Sequence, residues 1–232
     1  MTNVTNGRVF TSQGSMSPPD AIDWRTLGAV TSVKNEGECH ASWAFSVTGA
    51  IEGQYFIKNK KLVSLSEQNL IDCVGGPNNC AQGWPDTAYN YVMYNNGIDT
   101  EESYPYEQGL RACRYTAEYR GATIKTFVNI QTANEVQLKE ALAVVGPVSV
   151  LIDASQPSLP FYSEGVYYDT KCMSQNYNYG ALAVGYGVED GVDYWLLKFS
   201  KSESWGDRGY IKIARNRNNH CGVATHATYP EV

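Results

Sequence analysis

The sequence has no long hydrophobic run, no net positive charge and only three histidines. Its most apolar stretch, residues 141–152, is interrupted by Gly146-Pro147, whereas a membrane-spanning helix needs about 20 predominantly apolar residues. The formal net charge is −6 at pH 7, and binding to nucleic-acid phosphates requires a basic surface. No CxxC pair and no zinc-type histidine spacing occurs. The sequence therefore predicts no membrane span, no nucleic-acid partner, no metal site and no cofactor.

Six cysteines are spread over the chain, at positions 39, 73, 80, 113, 172 and 221. An even number of dispersed cysteines favours three disulfides and an oxidising compartment. The alternative is six buried thiols in a cytosolic protein. The spacing does not select one pairing among the many that six cysteines allow.

The pattern of elements changes along the chain. Residues 1–19 are rich in Thr, Ser, Asn and Gly and predict a tail or linker before a domain of residues 20–232. Helical periods and caps come first, predicting helices from Ser42 to Ile57, from Ser64 or Ser66 to Asp72, from Asp86 to Asn95, and from Asn134 to Gly146. Short strand-like segments with glycine-rich turns follow, between residues 148 and 214. Helices followed by strands predict an α+β protein.

Several segments resemble motifs of the papain-like cysteine proteases, and the cathepsin L branch is the most similar. They run in family order over residues 20–232 and include Asp23-Trp24-Arg25, the run from Val33 to Ser46, Leu65-Ser66-Glu67-Gln68, Gly146-Pro147-Val148, Val184-Gly185-Tyr186-Gly187 and Asn219-His220-Cys221-Gly222. The resemblance implies a two-lobed fold, with a helical half over roughly 27–128 and an antiparallel, barrel-like β half over roughly 129–225. It implies the disulfides Cys39–Cys80, Cys73–Cys113 and Cys172–Cys221. It also makes residues 1–19 similar to the end of a propeptide.

Catalysis in this family needs a cysteine thiolate, a histidine, an asparagine that orients it and a glutamine that helps bind the oxyanion. The resemblance places Ser42, Tyr179, Phe199 and Glu38 at these four positions. A serine needs a base, a phenol is a poor base at neutral pH, and a phenyl ring accepts no hydrogen bond. A carboxylate would repel the oxyanion. The resemblance thus predicts that no catalytic position is intact.

The substrate-binding positions of the family can also be assigned. The resemblance implies a cleft walled by Gly83, Trp84, Pro85, Leu151, Tyr177, Asn178, Gly180 and His226. Because His226 is bulkier than usual there, we expect a narrowed or plugged cleft. We also expect Lys201, at a family tryptophan, to form an ion pair with Glu38 across the site.

The replaced positions favour the hypothesis of an inactive cathepsin L homologue. Such a pseudoenzyme would be a monomer, secreted or lysosomal, acting as a binding, decoy, storage or matrix protein with a protein or peptide ligand in the former cleft. The alternative is an enzyme with Ser42 as nucleophile and His40 or Lys201 as base. The run Cys39-His40-Ala41-Ser42 resembles that of silicateins, so this alternative includes a silica-condensing enzyme.

Overall fold

A computed structural model describes residues 6–12, 17–74 and 80–232 of the chain. It contains four α-helices among these residues: α1 Ser42–Asn59, α2 Glu67–Cys73, α3 Pro85–Tyr94 and α4 Glu135–Val144. Its strands are β1 Arg8–Val9, β2 Ile22–Asp23, β3 Ile98–Asp99, β4 Arg120–Ala122, β5 Thr126–Asn129, β6 Val148–Ile152, β7 Val166–Tyr167, β8 Tyr179–Glu189, β9 Val192–Lys198, β10 Tyr210–Ala214 and β11 His226–Glu231. In this described part of the chain, no helix is long and apolar enough to cross a membrane.

Two hydrophobic cores define two lobes. The left lobe packs α1, α2 and α3 around one core, with the short β3–β4 pair beside it. The right lobe is a nine-stranded sheet in the order β1-β5-β11-β6-β8-β9-β10-β7, with β2 paired to β8. Its pairs are antiparallel except β1 with β5 and β7 with β10. The predicted papain-like α+β fold with a helical and a sheet-rich half is confirmed.

Helix α1 lies between the lobes, and its two internal glycines allow it to pack closely against the right lobe. A Cβ at Gly49 would lie 2.7 Å from Leu182 of β8, and one at Gly53 would lie 2.8 Å from Pro147. Glycine lowers intrinsic helix propensity, but here the missing side chains let the helix backbone approach the right lobe. Packing therefore determines the sequence of this helix more than propensity does.

The helix caps follow the sequence signals in two cases and differ in a third. The Oγ of Ser66 accepts the N–H of Asn69 at 2.9 Å, and the Oδ1 of Asn134 accepts the N–H of Gln137 at 3.0 Å. The predicted cap at Asp86 is wrong. Helix α3 begins at Pro85, one residue earlier, because a proline at the first helical position has the required φ and no N–H to leave unpaired.

Three disulfides are present, Cys39–Cys80, Cys73–Cys113 and Cys172–Cys221, the set that the resemblance implies. The first two lie in the left lobe and the third lies in the right lobe. No described cysteine is left as a free thiol.

A buried network of charges joins the lobes beneath the start of α1. The Nζ of Lys198 on β9 donates to the carbonyl and the hydroxyl of Thr31 at 2.9 and 3.0 Å, and that hydroxyl donates to Glu52 on α1 at 2.7 Å. Lys34 lies 2.8 Å from Glu67 and 3.5 Å from Glu52. Burial lowers the pKa of Lys198 to about 8, and Glu52 opposes this effect. Buried charges of both signs thus hold the lobes in one arrangement.

Glu101 lies beside this network and makes the stability depend on pH. Burial, and then the charge of Glu67, raise the pKa of Glu101 from 4.5 to about 7. A group whose pKa is raised on folding stabilises the folded state below its unfolded pKa, and this contribution is lost as the pH rises through the folded pKa. We expect Glu101→Gln to flatten the decline in melting temperature between pH 4.5 and pH 7, as measured by thermal unfolding at several pH values.

The matched control is Glu102→Gln, which changes the exposed neighbouring carboxylate. This control should keep the wild-type pH dependence. Identical pH profiles for the wild type and Glu101→Gln would contradict the role given to Glu101.

Candidate active site

A cleft lies where the N-terminus of α1 meets the start of β8. Its volume is about 280 Å³, near the lower end of the usual range for ligand pockets. Six of the predicted wall residues line it: Gly83, Trp84, Leu151, Tyr177, Asn178 and Gly180. His40, Ser42 and Tyr179 line the same cleft. Of the two expected forms, narrowed or plugged, the cleft has the narrow and open one, because space remains in front of Ser42.

Ser42 is the first residue of α1 and is buried, with its hydroxyl held by the opposite lobe. The N–H of Gly180 donates to the Oγ of Ser42 at 3.0 Å. A Cβ at Gly180 would lie 2.8 Å from the backbone of Ser42 and of Trp43, so only glycine allows β8 to pass this close. The position at the N-terminus of the helix also gives the hydroxyl the favourable end of the helix dipole for developing negative charge.

Gly83 is retained for a reason within the fold. A Cβ at Gly83 would lie 1.8 Å from the ring of Trp43. That ring is fixed by its own hydrogen bond, since its Nε1 donates to the carbonyl of Cys80 at 2.9 Å. Any side chain at position 83 would therefore displace Trp43, which directly follows Ser42.

Tyr179 and Phe199, which the resemblance assigns to the histidine and asparagine positions of the family, pack against each other. Their ring centroids are 4.6 Å apart, and Phe199 stacks on Trp205 at 4.6 Å and 10°. The hydroxyl of Tyr179 accepts the N–H of Ser200 and bonds its Oγ, both at 3.0 Å. Burial raises the pKa of Tyr179 above its usual range. The phenol is therefore a neutral, fixed group that is hydrogen-bonded to Ser200 and lies near the carboxylate of Glu36.

The carboxylate at this site is Glu36, and the assignment of Glu38 needs correction. Glu36 is 3% exposed, whereas Glu38 is exposed to solvent. The Oε1 of Glu36 lies 3.5 Å from the Nζ of Lys201, so the expected ion pair of Lys201 is with Glu36 and not with Glu38. The sequence contained the signal: in the family pattern the glutamine directly follows Lys-Asn, and Lys34-Asn35 is followed by Glu36.

The surroundings of Glu36 bridge the two lobes. Its N–H donates to the carbonyl of Ser200 at 2.8 Å, and its carbonyl accepts the hydroxyl of Tyr106 at 2.6 Å. Burial raises the pKa of the Glu36 carboxyl, and Lys201 and His40 partly offset this effect. Lys201 is thus held by a carboxylate, and its Nζ lies 5.1 Å from the ring centroid of Tyr179.

The remaining predicted wall residues lie at the end of the cleft next to Trp84. The Trp84 ring lies 4.9 Å from His226 and 5.6 Å from Tyr177. His226 Nε2 lies 3.1 Å from Asp86 Oδ1. Pro85 is buried at the start of α3. His226 therefore packs against Trp84, beside the open part of the cleft.

One cysteine–histidine cluster occurs among the described residues, in the right lobe. A nitrogen of His220 and the sulfurs of Cys172 and Cys221 lie within 4.8 Å of one another. The two sulfurs are bonded to each other, so both cysteines are oxidised here. The Nε2 of His220 accepts the N–H of Asp169 at 3.2 Å. The cluster is a disulfide with a neighbouring histidine.

Lys201 is expected to stabilise the chain most at neutral pH. In Lys201→Met, Glu36 would remain buried without its cation, so its pKa would rise further. A raised pKa stabilises the folded state at low pH and loses that effect as the pH rises. The melting temperature should therefore fall more at pH 7 than at pH 4 relative to the wild type.

Lys61→Met removes an exposed lysine and should have a small effect at either pH. The double variant with Glu36→Gln should remove the pH dependence that Lys201→Met introduces. An equal fall in the melting temperature of Lys201→Met at both pH values would exclude an electrostatic role for the Lys201–Glu36 pair.

Curated relatives match nearly the whole chain. A protein named cathepsin L-like peptidase, from Aedes aegypti, is 55% identical over 226 residues, which cover 96% of this chain and 67% of the relative. Digestive cysteine proteinase 1 from Homarus americanus is 52% identical over 227 residues, covering 97% of this chain and 70% of the relative. The chain thus spans about two thirds of the length of the curated relatives it matches.

These relatives contradict the prediction that the chain is not an enzyme and serves as a binding, decoy, storage or matrix protein. Proteins that are 50–55% identical over nearly all of the chain are named as a peptidase, a digestive proteinase or procathepsin L. The prediction rested on the side chains at four positions and did not consider the rest of the site. The open cleft, most of its walls and a hydroxyl at the N-terminus of α1 are present.

The family is established by a sequence match, and the fold is established by a match to a solved structure. The papain family cysteine proteases match residues 18–231. The structure of digestive procathepsin L2 proteinase from Tenebrio molitor larval midgut superposes with a TM-score of 0.94 at 43% identity, over 98% of this chain and 74% of that protein. The chain belongs to the papain family of cysteine proteases, in its cathepsin L-like branch.

Proposed function

We propose that this chain hydrolyses peptide bonds in the cleft between its lobes, as a cathepsin L-like peptidase. The observation that carries the proposal is the hydroxyl of Ser42, at the N-terminus of α1 and facing an open cleft. The names of the relatives support a peptide substrate. The aromatic walls Trp84 and Tyr177 suit apolar side chains of an extended peptide.

Ser42 is the proposed nucleophile and His40 its proposed base. The Oγ of Ser42 accepts the N–H of Gly180, which leaves its proton to be removed. His40 is exposed and lines the same cleft, whereas His220 packs beside a disulfide and His226 beside Trp84. In a structure without substrate, catalytic hydrogen bonds are often long or unformed.

The reaction then follows the usual order of acyl transfer. The Oγ attacks the substrate carbonyl carbon while the imidazole accepts its proton and passes it to the leaving amine. A water molecule next attacks the ester carbonyl while the imidazole accepts a proton from it, and the imidazolium gives that proton to the departing Oγ of Ser42. The N-terminus of α1 is the positive end of the helix dipole, which favours the negative charge that develops on the oxyanion.

Tyr179, Phe199 and Glu36 are proposed to shape the cleft without transferring protons to the substrate. The Tyr179 hydroxyl is satisfied by Ser200, and Phe199 has no polar atom to offer. Glu36 is paired with Lys201, which argues against Lys201 as the base. Neither of the first two can perform the family's histidine and asparagine roles.

The working environment is proposed to be oxidising and acidic, as for a secreted or lysosomal monomer. Three disulfides favour an oxidising compartment. Burial raises the pKa values of Glu36 and Glu101, so protonation of both groups in acid favours the folded state.

The test is hydrolysis of a fluorogenic peptide library by the purified chain beside Ser42→Ala and His40→Gln. We expect turnover that Ser42→Ala abolishes. His40→Gln should lower it by about a hundredfold or more, since a general base contributes about 10²–10⁴-fold.

Equal rates for the wild type and Ser42→Ala would overturn the proposal. Lys171→Met, an exposed change in the right lobe, should keep the full rate. If Ser42→Ala abolished hydrolysis and His40→Gln did not lower it, Ser42 would remain the proposed nucleophile and His40 would be excluded as its base.

A further inference from the structure

Residues 6–10 lie along the outer edge of the right-lobe sheet. Strand β1 pairs in parallel with β5, with Arg8 opposite Val128 and Val9 opposite Asn129. The N–H of Phe10 donates to the carbonyl of Asn129 at 2.8 Å, and the side-chain amide of Asn129 donates to the carbonyl of Asn6 at 2.7 Å. A segment expected to be a tail or linker therefore occupies the edge of a sheet, where unpaired backbone groups would otherwise be exposed.

Phe10 anchors the segment. Its side chain is 7% exposed and belongs to the right-lobe core with Val128 and Ile130. Its ring meets Tyr229 edge to face at 6.4 Å. An aromatic side chain in a core pocket, with backbone pairing on one side, is the way in which extended peptides are recognised at sheet edges.

Gly7 fits the segment to the same surface. Its φ is +67°, and a Cβ there would lie 2.5 Å from the Phe127 ring. The backbone at Gly7 therefore lies directly on that ring in a conformation that favours glycine. At the rim, the guanidinium of Arg8 pairs with Glu231 of β11.

The contacts of this segment are separate from the cleft. Phe127, Val128, Asn129 and Tyr229 do not line the cleft. Further along the chain, the carbonyl of Pro19 accepts the hydroxyl of Tyr186 at 3.0 Å. Ser17, which precedes Pro19, is exposed.

We propose that the edge of β5 and the Phe10 pocket form a second peptide-binding site, whose occupant is this chain's own residues 6–10. The segment is held there by its backbone pairing and by Phe10, and not by its covalent connection. A cut in the exposed connection at Ser17 leaves the N-terminal piece bound as a separate chain.

The test uses the full chain with the recognition sequence of a site-specific protease inserted after Ser17. The folded protein is cut, passed through gel filtration and analysed by intact mass for the retained N-terminal peptide. We expect the wild-type peptide to co-elute with the domain. Phe10→Ala should release it at least about tenfold faster, because it removes a buried aromatic side chain. Arg8→Ala should change the release rate by less than about fivefold, because it removes an exposed ion pair.

Complete release of the wild-type peptide would overturn the proposal, and so would equal retention of the Phe10→Ala peptide. If Phe10→Ala does not fold, the cut wild-type protein is incubated with labelled peptides of residues 1–17. The peptide with Phe10 should exchange into the site, and the same peptide carrying Phe10→Ala should not. Exchange of both peptides at equal rates would show that the Phe10 pocket does not hold the segment, and would overturn the proposal. None of these readouts depends on hydrolytic activity.

Discussion

The close contact between α1 and the right lobe is the constraint on which the rest of the structure depends. Gly49, Gly53 and Gly180 each stand where a Cβ would collide with the opposite surface. Because these three positions lack side chains, the helix backbone approaches β8 and Pro147 at short range. This contact brings the first residue of α1, Ser42, within hydrogen-bond distance of β8 and so defines the floor of the cleft.

The side chains around this contact are mutually compatible. The ring of Tyr179 packs at a tilt against Phe199, and Phe199 stacks on Trp205. The buried Glu36 is matched by Lys201. An unpaired buried carboxylate would be costly, so the presence of its partner explains how a carboxylate is tolerated at this position.

The relatives of the chain contradict what its individual side chains indicate. Ser42, Tyr179 and Phe199 predict a protein without catalysis, whereas the relatives include a named peptidase and a named proteinase. What the chain keeps is an open cleft with aromatic walls and a hydroxyl at the start of a helix. The proposed peptidase rests on these retained features, with the base supplied from the loop before α1.

The sequence by itself determined the fold class, the family, the approximate bounds of the four α-helices and the helix caps at Ser66 and Asn134, because these depend on local patterns and ordered motifs. The motif Lys34-Asn35 was enough to locate Glu36 at the site, but it did not show that the Glu36 side chain is buried. Only the tertiary structure decided that Lys201 pairs with Glu36, that Tyr179 bonds Ser200, and that the N-terminal segment is anchored in the sheet. Each of these contacts joins residues that are distant in sequence, and hydrophobic periodicity carries no information about which distant side chains will meet.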